Sequence, residues 1–200
     1  MRDRRPSSRP EVASDHPPSR PGVPELTLRT ASPDDTHALA AAIAGLLRPG
    51  DVVSLSGELG AGKTYFVQGV AAGLGVRRRV TSPTFTLVRR YESDLDLVHV
   101  DVYRLDRLQE VIELGEETLL GPDEVTFIEW GDTVEALLPP DRLEVVLLLG
   151  AHENERRLIM RGHGNWAARI RMLVPLLAPW LEQGEAGARA LDDEPEEGTA

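Results

Sequence analysis

The segment Gly57-Glu58-Leu59-Gly60-Ala61-Gly62-Lys63-Thr64 restricts this 200-residue chain more than any other. Its spacing, Gly-x4-Gly-Lys-Thr, is the Walker A pattern, which binds phosphate only when it joins a β-strand to the start of an α-helix. Both flanks agree. The apolar run Asp51-Val52-Val53-Ser54-Leu55-Ser56 reads as a buried strand, and Phe66, Val70 and Leu74 recur at helical spacing before Gly75 ends the helix. Glycines let such a loop curl so that successive N–H groups point inward at phosphate oxygens, and the helix N-terminus adds its dipole. Lys63 is the only lysine among 22 basic residues. A chain otherwise built with arginine keeps its one compact ammonium where a planar guanidinium would not fit the cradle.

The rest of the chain supplies a domain around this loop. Residues 25–29 alternate like a short strand, and Ser32-Pro33 followed by Asp35 marks a helix start whose apolar face carries Leu39, Ile43, Leu46 and Leu47. Strands are expected at 85–91, 95–103 and 125–130, with a helix near 110–120 between them. Residues 143–149 and 157–160 suggest an antiparallel hairpin. A closing helix over 166–181 is expected to break near Pro175 and Pro179. Strands interleaved with helices define an α/β fold of the P-loop NTPase type, three-layered with a mixed sheet. Residues 1–24, rich in Arg, Pro and Ser, read as a basic disordered extension, and 182–200 as an acidic disordered tail. The folded domain is therefore expected to span 25–181.

A formal net charge of −11 argues against a protein that coats nucleic acid alone, although the basic N-terminal arm can touch a phosphate backbone within a complex. Without cysteine there is neither a disulfide framework nor a thiolate site. No apolar run is long enough to span a bilayer, and the start lacks the order of a secretory signal, so a cytoplasmic protein is expected.

Hydrolysis asks for more than a phosphate loop: a carboxylate near the metal and a group that places water. Asp101 ends the apolar run Leu97-Val98-His99-Val100-Asp101, and Glu129 ends Val125-Thr126-Phe127-Ile128-Glu129. Strand ends are where α/β sheets hold ligands. Each is also open to a plain reading as a solvated strand-end acid. Thr81-Ser82-Pro83-Thr84-Phe85-Thr86 places four hydroxyls in six residues, either to meet a γ-phosphate or simply to turn the chain into a strand. Trp130 taken alone reads as a core residue.

The phosphate loop, Ser82-Pro83-Thr84-Phe85-Thr86-Leu87-Val88, His99-Val100-Asp101-Val102-Tyr103-Arg104-Leu105 and Ile128-Glu129-Trp130 occur together in this order. That combination resembles the bacterial TsaE (YjeE) family over roughly residues 25–160. The resemblance implies a magnesium-dependent ATPase that serves formation of N6-threonylcarbamoyladenosine in tRNAs reading codons that begin with A. It implies docking on the partner proteins TsaB and TsaD, weak hydrolysis without them, and contact with tRNA only through that complex. Lys63, Asp101 and Glu129 are then the candidate catalytic residues. Leu59, Gly60, Ala61, Gly62, Lys63, Thr64, Tyr65, Trp130 and Arg156 would line the ATP, and Thr64, Asp101 and Glu129 would attend Mg²⁺. Phe85 stands where the family often has tyrosine, and both tails lie outside the family core.

Rival readings make distinct demands. A small-molecule kinase needs an acceptor pocket and an arginine-rich lid, and Arg77-Arg78-Arg79 reads more simply as a cluster favoured by a helix C-terminus. A guanine-specific switch commonly uses Asn-Lys-x-Asp, which a chain with a single lysine in its phosphate loop cannot supply. A nucleotide-gated binding module remains compatible with the same residues.

Overall fold

The computed structural model describes residues 17–103 and 120–182. Seven strands form one sheet in the order β1-β7-β6-β2-β5-β4-β3. They are β1 (Glu25–Thr30), β2 (Val52–Ser56), β3 (Val88–Tyr91), β4 (Leu97–Asp101), β5 (Val125–Glu129), β6 (Arg142–Leu149) and β7 (Arg156–His163). Strands β4, β5, β2 and β6 run parallel, and β3, β7 and β1 complete the two flanks through antiparallel pairings. The mixed sheet read from the sequence is therefore present.

Alternation along the strands sorts the side chains into two faces. Val53 and Leu55 of β2, Phe127 of β5, and Val145 and Leu147 of β6 join a large apolar core with Leu39, Ile43, Phe66 and Val70. These last four come from α1 (Pro33–Ile43) and α2 (Lys63–Gly73), which cover that face beside a broken C-terminal helical stretch. The opposite face has a smaller cluster of Val52, Val98, Val100, Ile128 and Val134. Val134 lies on the 3₁₀ stretch Gly131–Leu137, which supplies part of a third, thinner layer.

Helix α1 begins as its sequence requires: Ser32 Oγ accepts from Asp35 N at 3.1 Å, while Asp35 Oδ2 accepts from Ala31 N at 2.9 Å. The two helices pack closely because α2 turns glycines toward α1. A Cβ at Gly69 would lie 2.5 Å from the His37 carbonyl, and one at Gly73 would lie 2.7 Å from that of Ala41.

Several boundaries differ from the sequence reading, for local reasons. The strand expected from Phe85 starts only at Val88, because Thr86 N and Leu87 N both donate to Pro83 O and Leu87 is left-handed at φ 63°. Strand β4 stops at Asp101, and β5 stops at Glu129 because Trp130 also turns left-handed, at φ 63°. The hairpin strands are longer than expected, since Arg142, Arg161 and His163 find polar partners within the sheet region. The closing helix is broken into α3 (Trp166–Arg169), a 3₁₀ turn, α4 (Leu173–Leu177) and a second 3₁₀ turn, Ala178–Trp180. The helix expected near 110–120 lies outside the described residues except for Leu120.

Upstream of β1 the packed chain reaches further than the boundary at residue 24 suggested. Pro17 O and Pro18 O accept from Arg161 Nη2 at 3.3 and 3.1 Å, and Arg20 Nη1 reaches Glu135 at 2.5 Å. Arg161, only 2 % exposed, draws them in, because a buried guanidinium needs acceptors for its fork of N–H groups. Glu25 and Glu144 supply the others at 2.7 and 3.2 Å. Among the described residues no helix is long and apolar enough to cross a membrane.

Candidate nucleotide site

The loop between β2 and α2 has the backbone the motif needs. Gly57, Gly60 and Gly62 lie at φ 130°, 83° and 108°, a region that L side chains rarely adopt. At Gly57 space is closed as well, since a Cβ there would meet Leu147 O at 2.2 Å. Gly62, left-handed, opens α2 directly onto the loop, with no side chain capping the helix. The N–H groups of the first turn are thus left facing the concavity.

Lys63 is buried, and its ammonium is satisfied by the loop itself: Nζ donates to Gly57 O at 2.6 Å and to Glu58 O at 2.9 Å. It also lies 3.6 Å from the centre of the Trp130 ring. Burial pushes this lysine below its ordinary value, and attraction from Glu129, Asp101 and Asp132 only partly opposes the shift. Trp130 is therefore more than core filling. Its left-handed backbone swings the indole over Lys63, and Tyr103 packs on the indole with ring centres 4.8 Å apart. Such a conformation costs a non-glycine residue about 1–2 kcal/mol, so its surroundings must hold it.

Both strand-end acids are buried, against the solvated alternative. Glu129 Oε1 accepts from Thr64 Oγ1 at 2.7 Å and lies 2.8 Å from His99 Nε2. Asp101, its register partner on β4, accepts on Oδ2 from Ser82 Oγ at 2.7 Å and from Thr84 Oγ1 at 2.6 Å. Its Oδ1 accepts from Tyr103 N at 3.1 Å. Two of the four hydroxyls in the Ser-Pro-Thr segment thus point at one carboxylate. The other two serve the turn and β3: Thr86 Oγ1 donates to Pro83 O at 3.4 Å, and Arg89 donates to Thr81 Oγ1.

Arg156 reaches the loop from the start of β7. Its Nε donates to Ala61 O at 2.9 Å, Nη2 lies 3.4 Å from Gly60 O, and Nη1 bonds carbonyls of its own turn. Leu59 stands at the tip, 74 % exposed. Tyr65 is the candidate whose side chain turns away, its hydroxyl 3.3 Å from Asp34 on α1 and its ring against His37. Only its backbone N–H remains near the loop.

The sequence reading passed over His99 as a site residue. Fully buried, it touches Glu129 through Nε2, while Nδ1 has no partner among the described residues. A buried orphan acceptor costs less than a buried orphan N–H carried by a charged ring, so the tautomer with hydrogen on Nε2 fits, donating to Glu129. Period two was the missed signal, because His99 stands two residues before Asp101 on the same face of β4.

A strand–glycine loop–helix unit on a mainly parallel sheet, with buried acids at neighbouring strand ends, defines a P-loop-type α/β protein. The sequence model described as threonylcarbamoyl adenosine biosynthesis protein TsaE matches residues 30–158. The tRNA threonylcarbamoyladenosine biosynthesis protein TsaE of Bacillus subtilis (strain 168) is 41 % identical over 142 residues, covering 70 % of this chain and 88 % of its own length. The protein of the same description from Streptomyces coelicolor is 50 % identical over 107 residues, 52 % of this chain and 72 % of that one. In three dimensions the chain is similar to the crystal structure of Bacillus subtilis YdiB, with a TM-score of 0.64 and 38 % identity over 78 % of this chain and 96 % of that one. This chain belongs to the TsaE family.

Proposed function

We propose that this chain is a magnesium-dependent ATPase of the cytoplasm, acting with TsaB and TsaD to form N6-threonylcarbamoyladenosine in tRNAs that read codons beginning with A. One observation carries the enzymatic part: the Thr64 hydroxyl at the mouth of the phosphate loop meets the buried Glu129 carboxylate at 2.7 Å. Family membership supports the pathway.

The donor set fits Mg²⁺. Thr64 and Glu129 offer hard oxygens, and among the described residues no three acidic or histidine side chains form a closed cage. Mg²⁺ in phosphate sites favours that arrangement, taking one or two protein oxygens and completing its shell with phosphate and water. Thr64 and Glu129 would hold the ion, and Asp101 would act from the neighbouring strand end. What Mg²⁺ supplies in such a site is neutralisation of charge across the β- and γ-phosphates.

The residues of the chain divide the remaining work. Lys63 would exchange the carbonyls of Gly57 and Glu58 for β- and γ-phosphate oxygens, a swap of neutral acceptors for charged ones. Backbone N–H groups from Leu59 to Tyr65 would cradle the phosphates. Asp101, steadied by Ser82 and Thr84, would orient the attacking water and take its proton. His99 would keep the Glu129 carboxylate from rotating. Hydrolysis is expected to be slow for the isolated chain and faster with TsaB–TsaD.

Titration calorimetry and a phosphate-release assay test this together. Lys63→Ala should lose measurable ATP binding. Asp101→Asn should keep binding while turnover falls roughly a hundredfold, the usual scale for a lost proton acceptor. Normal ATP affinity in Lys63→Ala would overturn the reading.

A further inference from the structure

A bound triphosphate has a direction, and the site fixes it. Thr64, Glu129 and Asp101 stand on the β5–β4 flank of the loop, so under the phosphate-loop reading the terminal phosphate faces that side. The nucleoside then has to leave over the opposite flank, where β6, β7 and β1 lie. Strand β1 pairs antiparallel with β7, as β7 does with β6, so the end of β1 and the β6–β7 turn share the sheet edge that holds the loop.

On that flank lies a cleft of about 820 Å³, within the size range of small-molecule sites. Arg29, Asp35, His152, Glu155, Trp180 and Glu182 line it. Both of its walls are tied to the phosphate loop and its helix. Arg156, next to Glu155, bonds Ala61 O at 2.9 Å, and Tyr65 at the start of α2 lies 3.3 Å from Asp34, next to Asp35. Trp180 is held in place: Nε1 donates to Asp35 Oδ1 at 2.5 Å, and Ala31 N fixes the other oxygen of Asp35 at 2.9 Å. An indole anchored by its only donor is an ordered apolar surface in an otherwise polar cleft. Arg29 and Glu155, paired at 2.7 Å, give the rim polar groups of the kind a ribose needs.

We propose that this cleft receives the nucleoside of the bound triphosphate, with Trp180 as the stacking platform for the purine base. The assignment rests on the phosphate-loop reading and adds a residue outside the matched stretch 30–158. Trp180 sets affinity for the base, whereas the loop sets affinity for the phosphates.

The two parts separate in one experiment on the full chain. Binding of Mg-ATP and of Mg-tripolyphosphate, which carries no nucleoside, is measured by calorimetry for wild type, Trp180→Ala and Trp180→Phe. Tripolyphosphate should bind all three alike. ATP should weaken roughly tenfold in Trp180→Ala, the scale of a lost base–aromatic stack, and recover in Trp180→Phe. Unchanged ATP affinity in Trp180→Ala overturns the cleft assignment alone. Failure of the wild type to bind either ligand overturns the phosphate-loop reading and the cleft with it. Because Trp180 also packs against the core, photolabelling of the wild type with 8-azido-ATP gives a measurement free of folding effects. Adducts within 150–155 or 178–182 support the assignment, and adducts confined to other segments overturn it.

Discussion

Glu129 shows how much of a site depends on one residue that does no chemistry. Its carboxylate is buried between a hydroxyl from α2 and an imidazole from β4, and both contacts fall on Oε1. Replacing His99 by Leu removes one of them without adding volume. A charged acceptor then loses a hydrogen bond, on the order of 1.5–3 kcal/mol. His99→Leu is therefore expected to lower the urea midpoint and to raise the Mg²⁺ concentration needed for half-maximal hydrolysis. His99→Gln, which retains an N–H donor, should recover part of both. A His99→Leu variant with an unchanged Mg²⁺ requirement would show that Glu129 needs no such support. At this scale the sequence was informative wherever a motif carries its own geometry. The loop glycines, Lys63, Thr64 and the strand-end acids needed no fold to be recognised. His99, Tyr103 and the turned-away side chain of Tyr65 were not legible, because each depends on a neighbour from another element.

Helices α1 and α2 depend on contact at the level of backbone. Gly69 and Gly73 lie one turn apart, and each would push a Cβ into an α1 carbonyl. Gly69→Val should force the helices apart at a cost of about 1–3 kcal/mol, typical of overpacking, read as a lower urea midpoint. Since α2 begins at Lys63, ATP affinity should fall as well. Helix α1 was readable from Ser32, Pro33 and its apolar face, because those signals are local. Sheet order was not. Parallel neighbours such as β2 and β5 are separated by long connections, and nothing in Val52–Ser56 specifies Val125–Glu129 as its partner. The early end of the Phe85 strand was equally hidden, since it follows from Leu87 adopting a left-handed backbone.

The whole molecule is pinned across its second face by charge as well as by apolar packing. Burial raises the Glu144 carboxyl, but His163, Arg20 and Arg161 together outweigh it and hold Glu144 below its ordinary value. A carboxyl lowered on folding adds stability that is complete above its unfolded value, near 4.5, and is lost as pH falls through its folded value. Thermal melts should therefore show a loss of stability on acidification below about pH 4.5, and Glu144→Gln should flatten that part of the profile. The same network joins β1, β6 and β7 to Pro17, Pro18 and Arg20, a connection that composition hid behind a stretch of Arg, Pro and Ser.

The single lysine has a practical meaning for the intact molecule. Besides its α-amine, the chain carries one amine that an acylating reagent can modify, and that amine lies in the phosphate loop under Trp130. Whole-protein mass after brief acylation thus becomes an occupancy gauge for the loop. Added ATP should suppress the Lys63 adduct, while a ligand confined to another surface should leave it unchanged.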